Sequence, residues 1–167
     1  MGRPTYGPLN LSLMVTMRLY METTKIAPSK TAAEIGEILS YAGATKIMTE
    51  YNDKQIVALT FALIVKAREV PFSLPIRVDP VFRILNGRHR VSLRTKHSDA
   101  DRDQAVRVAW RQLLRWVQAQ LALVDTGMVE NLEVFLPYVK MNNGETFYKS
   151  IETSGFKMLP YNEIHDE

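Results

Sequence analysis

Three arginines recur at every fourth position in the stretch DRDQAVRVAWRQLLRWVQAQLALV: Arg107, Arg111 and Arg115. On a helix that spacing stacks them one turn apart, about 6 Å between neighbours. Successive phosphates of a single nucleic-acid strand lie at a similar separation. Guanidinium groups are permanently charged and match phosphate oxygens in a bidentate fork. The chemistry such a row offers is neutralisation of a phosphate backbone. Like charges at i, i+4 repel by roughly a few tenths of a kcal/mol each. Asp103, before Arg107, is the one acid four places from any member, and after Arg115 comes Ala119. A purely structural helix more often interleaves glutamate.

The row continues upstream as a basic segment. Arg88 to Ala100, RHRVSLRTKHSDA, is polar and without period, and is expected to be an exposed loop, 88–100, carrying Arg88, Arg90, Arg94 and Lys96. From Arg83 to Arg115 nine Lys and Arg accompany three Asp, a formal +6 in a chain whose total is +3. A near-neutral body with one basic segment suits an anionic partner. The plainer alternative is a solvated linker beside a solvated helix face. Trp116, at the rim of the helix's apolar side, is a candidate stacking surface for a base, a rim residue of the core, or a subunit contact.

Catalytic chemistry finds little support. The chain has no cysteine, which excludes disulfides, cysteine-ligated zinc and thiol nucleophiles. His89, His97 and His165 have no partner at ligand spacing. Asp99, Asp101 and Asp103 could hold magnesium in a nuclease. Alternate aspartates at a helix start serve equally as caps and partners of the helix dipole. Arg90 and His97 match the Arg-to-His spacing of a class of helical ribonucleases, but that motif needs a helix and here falls in the loop. There is no glycine-rich phosphate loop, nucleophile elbow or dinucleotide fingerprint. The expectation is a non-catalytic protein without metal or cofactor.

The elements that position these residues follow from periodicity. Val106, Trp110, Leu113, Val117, Leu121 and Val124 form the apolar stripe of the long helix, widened by Ala109, Trp116 and Leu114. Gln104, Arg107, Arg111, Arg115 and Gln118 share the opposite face. Before it, Met14 to Thr23 alternates as a strand. Lys30 to Ala42 reads as a helix capped by Ser29 or Thr31 and closed by Gly43. Thr45 to Tyr51, Gln55 to Lys66 and Val70 to Leu74 read as strands, the second buried on both faces and the third an edge because of Pro71 and Pro75. Asp79-Pro80 opens a short helix, Val81 to Leu85, ended by Asn86-Gly87. Asn142-Asn143-Gly144 makes a tight turn before a last helix, Glu145 to Thr153, capped by Gly155.

The order is that of an α+β domain. The expected architecture is a small antiparallel sheet of about four strands, packed on one face by the long amphipathic helix and shorter helices. It occupies 14–160, after a loose N-terminal extension at 1–13. With 167 residues and 46% hydrophobic content the chain can bury a core. No apolar run reaches the length of a membrane span. The early stretch Leu9 to Val15 is interrupted by Arg18 and lacks a small-x-small cleavage site, so a cytoplasmic protein of the host cell is expected.

Two stretches carry a family resemblance: ETTKIAPSKTAAEIGEILSYAGATKIMTEY with VALTFAL and PFSLP, and DRDQAVRVAWRQLLRWVQAQLALVDTGMVENLEVFLPYV. Together they resemble a protein family that recurs in bacteriophage and mobile-element genomes, over Met17 to Phe156, and that family brings no activity with it. The β-β-β-α order is also similar to the core of phage single-strand annealing proteins, which implies a basic groove between sheet and helix that holds DNA. The expected function is therefore a phage-type accessory protein that binds nucleic acid, single-stranded DNA first, through Arg88, Arg90, Arg94, Lys96, Arg107, Arg111, Arg115 and Trp116. The alternative is an assembly protein, a homo-oligomer or an inhibitor of a host protein, using the arginine face.

Overall fold

The structure is a computed structural model that describes residues 18–89 and 99–160, with the backbone alone for 87–89 and 99–100. Its elements, in order, are α1 (Pro28–Tyr41), β1 (Lys46–Asn52), β2 (Gln55–Val65), β3 (Arg68–Pro75), α2 (Val78–His89), α3 (Asp99–Asp125), α4 (Asn131–Phe135), a 3₁₀ turn (Leu136–Tyr138) and α5 (Phe147–Thr153). The class is α+β, and the three strands make one antiparallel sheet in the order β1-β2-β3.

The expected strand at 14–23 is not found in its described part. Arg18 and Leu19 are irregular and 20–23 turn; 14–17 lie outside the described residues. Met21 takes φ 52°, the left-handed region, and Thr24 N–H donates to its carbonyl at 2.9 Å. Alternation of apolar and polar residues could not reveal this, because the carbonyls of this segment bond to side chains far along the chain.

The chain divides into two compact units. The first joins Met1–Ala33 to Ile76–Trp116, the second Glu34–Pro75 to Val117–Glu167. Helices α1 and α3 contribute residues to both.

In the second unit the sheet is made of two tight hairpins. Asp53 and Lys54 (φ 45° and 66°) join β1 to β2, and Lys66 and Ala67 (φ 47° and 62°) join β2 to β3. Two-residue turns with both residues left-handed match the twist of the strands. In β2, Ala58 to Leu63 are all buried, so the central strand is covered on both faces as its apolar run implies. On one face Phe61 and Phe72, cross-strand partners, stack at 5.1 Å. Phe135 of α4 meets Phe61 edge-on at 5.3 Å. On the other face Glu50 Oε1 accepts hydrogen bonds from Thr60 Oγ1 at 2.7 Å and Lys140 Nζ at 3.0 Å. Those two donors, Thr60 first, hold the Glu50 carboxyl below its ordinary range, against the opposing effect of partial burial. The backbone reinforces this tie: Lys140 N–H donates to the Pro71 carbonyl at 2.8 Å, on the edge strand that Pro71 and Pro75 mark. Asn142-Asn143-Gly144 turns the chain back, with Met141 N–H donating to Glu145 O at 2.8 Å.

Helix ends follow glycine. Gly43 and Gly127 take φ 93° and 72°. At each, the glycine's own N–H and the next one return to the last turn: Gly43 to Ser40 and Ala44 to Leu39, Gly127 to Val124 and Met128 to Leu123. These are Schellman closures. The start of α1 differs from expectation. Pro28 is its first residue and the Ala27 carbonyl accepts the first bonds from Lys30 and Thr31. Proline fits there because its missing N–H has no partner in the first turn. The Thr31 hydroxyl, expected in a capping box, is instead buried with no hydrogen-bond partner among the described residues.

Candidate nucleic-acid interface

The first unit contains α2, most of α3, and the N-terminal segment before α1. Helix α2 is longer than the expected Val81 to Leu85. It begins at Val78, so Asp79 and Pro80 lie within its first turn, and it runs through Asn86-Gly87 to His89. Asn86 lies inside the helix and is buried, 8% exposed. The described ends of the expected loop 88–100 are helical. Arg88 and His89 close α2, Asp99 and Ala100 open α3, and Arg90, Arg94, Lys96 and His97 lie outside the described residues.

Helix α3 keeps its expected apolar side. Trp110 and Val117 are fully buried, and Val106, Ala109, Leu114 and Leu121 nearly so. Leu113, Trp116 and Val124 are half-buried. Its other side is not the open face that the arginine spacing implied. Ala105 and Val108 are also fully buried, and Arg111 is 8% exposed. From Ala105 to Arg111 only Arg107 keeps partial exposure.

The chain's own N-terminal segment is bonded to this side of the helix. Gln104 Nε2 donates to the carbonyls of Glu22 at 2.8 Å and Thr24 at 3.0 Å. One helical stretch on, Gln112 Nε2 donates to the Tyr20 carbonyl at 2.6 Å. Arg107 supports the arrangement from within the helix, its Nε and one terminal nitrogen donating to Gln104 Oε1 at 3.0 and 2.7 Å. That bond orients the Gln104 amide so that its NH₂ faces the segment. Arg115 is exposed, and its guanidinium carbon sits 4.9 Å from the centre of the Tyr20 ring. The arginine row therefore divides. Arg107 and Arg111 are held within the unit, and Arg115 stands at its surface.

Other cations of the first unit are exposed as well. Arg18, 89% exposed at its side chain, reaches Glu22 at 3.8 Å. Arg77 and Arg83 are exposed. Arg102 pairs with Asp79 at 3.0 Å and lies 5.7 Å over the Phe82 ring; at such exposure this pair contributes at most about 1 kcal/mol.

The two compact units differ sharply in charge. The first holds fourteen Lys and Arg against five Asp and Glu, a formal +9; the second holds seven against thirteen, a formal −6. Sequence windows pointed to a basic stretch but not to this partition, because the units interleave along the chain. Among the described residues no group of three or more His, Cys, Asp or Glu side chains gathers as a metal site, and no helix is long and apolar enough to cross a membrane.

Comparison with protein-family models, with curated proteins and with solved structures finds no match.

Proposed function

We propose that the chain is a non-catalytic nucleic-acid-binding protein that prefers single strands, an accessory protein of phage or mobile-element type acting inside the host cell. The observation that carries this is the +9 charge of the first compact unit beside the −6 of the second. A field concentrated in this way attracts a polyanion although the whole chain is only mildly basic. Arg115 and Arg18, exposed on this unit, are the phosphate contacts within the described residues, and Arg88, Arg90, Arg94 and Lys96 extend them. Arg107 and Arg111 act indirectly, by holding the face on which Arg115 stands. Trp116, half-buried, is a lesser contributor.

The test is a fluorescence-anisotropy titration of labelled single- and double-stranded oligonucleotides at low and high salt. Tighter binding of the single strand, weakening as salt rises, supports the proposal. No binding of either at low salt contradicts it.

A second reading rests on the same partition. A −6 unit and a +9 unit on one chain are complementary between copies, which supports an assembly protein that forms homo-oligomers. Sedimentation across a salt series separates the two. An oligomer that dissociates with salt and ignores added oligonucleotide favours assembly.

A further inference from the structure

Tyr20 is fixed more firmly than a surface tyrosine needs to be. Its carbonyl receives the Gln112 amide at 2.6 Å. The residues that follow are held by the two Gln104 bonds to Glu22 and Thr24. Two turns close locally, Glu22 N–H to Leu19 O at 3.3 Å and Thr24 N–H to Met21 O at 2.9 Å. Met21 is driven to φ 52° between them, a conformation uncommon outside glycine. Thr24, 6% exposed, anchors the far end. The result is a tyrosine that remains 37% exposed and whose ring has an exposed guanidinium, that of Arg115, 4.9 Å from its centre.

A held aromatic ring beside an exposed cation, on the basic unit, has the parts of a single-strand binding contact. The ring offers a π-face on which any unpaired base can stack, and the cation reaches the flanking phosphate or adds its own plane to the stack. We propose that Tyr20 is a nucleobase-stacking platform, positioned by Gln112 and completed by Arg115. This rests on the nucleic-acid reading above and gives it a reason to prefer single strands, since paired and stacked bases do not present their faces. It also shifts the stacking role from Trp116 to a residue 96 positions earlier, outside the basic segment.

The experiment compares a short oligothymidine with an abasic strand of equal length, which keeps the phosphates and lacks the bases. Both are titrated against the full chain, Tyr20→Ala and Tyr20→Phe, with circular dichroism to show that each variant is folded. The expected result is that the parent binds oligothymidine about tenfold more tightly than the abasic strand, the effect of one stacked base. Tyr20→Ala removes that preference, while Tyr20→Phe keeps it. If Tyr20→Ala retains the preference, the platform is overturned. If the parent binds both strands equally and salt weakens both, the platform falls and the phosphate reading stands. If the parent binds neither, both fall together. Should Tyr20→Ala fail to fold, Tyr20→Leu takes its place, keeping apolar bulk without a π-face; unchanged preference there is likewise fatal.

Discussion

Gln112 donates its amide to the carbonyl of Tyr20, 92 positions earlier in the chain, at 2.6 Å. With Gln104, which bonds to Glu22 and Thr24, it makes a glutamine ladder that fastens the N-terminal segment to α3. A backbone carbonyl held by a side-chain amide contributes about 1 kcal/mol. Gln112→Ala should therefore lower stability by about 1 kcal/mol, and Gln104→Ala by more, roughly 2 kcal/mol, because it removes two bonds and leaves Arg107 without its acceptor. Native-state hydrogen exchange should show faster exchange of the Glu22 and Thr24 amides in both variants. Unchanged protection would mean that the ladder does not hold the segment.

Glu50 makes stability depend on pH. Its folded carboxyl lies below the ordinary value because Thr60 and Lys140 donate to it. A depressed folded pKa gives stability that is fully present above the unfolded value, about 4.3, and is lost as pH falls through the folded one. Side chains of Glu50 and Lys140 are about a third exposed, 36% and 32%, so solvent screening limits the contribution to about 0.5–1 kcal/mol. Glu50→Gln should cost that much at pH 7 and progressively less as pH falls through the folded carboxyl's titration, measured by urea denaturation at each pH. An equal cost at both ends of the range would show that packing, not charge, is responsible.

Much of the fold was legible in local chemistry. Gly43 and Gly155 end helices where expected, and Ala58 to Leu63, the middle of the apolar run of β2, are buried on both faces. What escaped was set by distant partners. Met14 to Thr23 alternates like a strand, yet from Arg18 onward no neighbouring strand receives it; α3 takes its carbonyls instead. The arginine spacing marks a helical stripe but not its exposure: Arg111 is only 8% exposed, and the segment bonded to this side of α3 comes from the N-terminal end of the sequence. Tyr20 had no local signal at all. Its only sequence clue was the pair of glutamines, Gln104 and Gln112, sharing the α3 surface with arginines and suited to hold backbone.

Thr31 carries a buried hydroxyl with no hydrogen-bond partner among the described residues. An unsatisfied buried hydroxyl costs about 1–3 kcal/mol, and valine has nearly the same shape. Thr31→Val should raise the melting temperature, with a gain of about 1 kcal/mol by calorimetry. A loss of that size would place a hydrogen bond at this hydroxyl in solution.

The β2–β3 turn holds Lys66 and Ala67 in left-handed backbone, at about 1 kcal/mol per residue for an ordinary side chain. Replacing the pair with Asn-Gly suits a turn with both residues at positive φ. Thermal denaturation should show a gain of about 1 kcal/mol. No gain would mean that the turn relaxes away from these angles.

The central claim is that the first compact unit binds a single strand through its phosphates. The most direct measurement is the slope of log affinity against log salt for a labelled oligothymidine. With three to five phosphate contacts, as Arg115, Arg18 and the basic residues after α2 imply, the slope should be about −2 to −3.5. Arg115→Ala should make it shallower by about 0.7. A slope near zero, or no binding at low salt, would contradict the account.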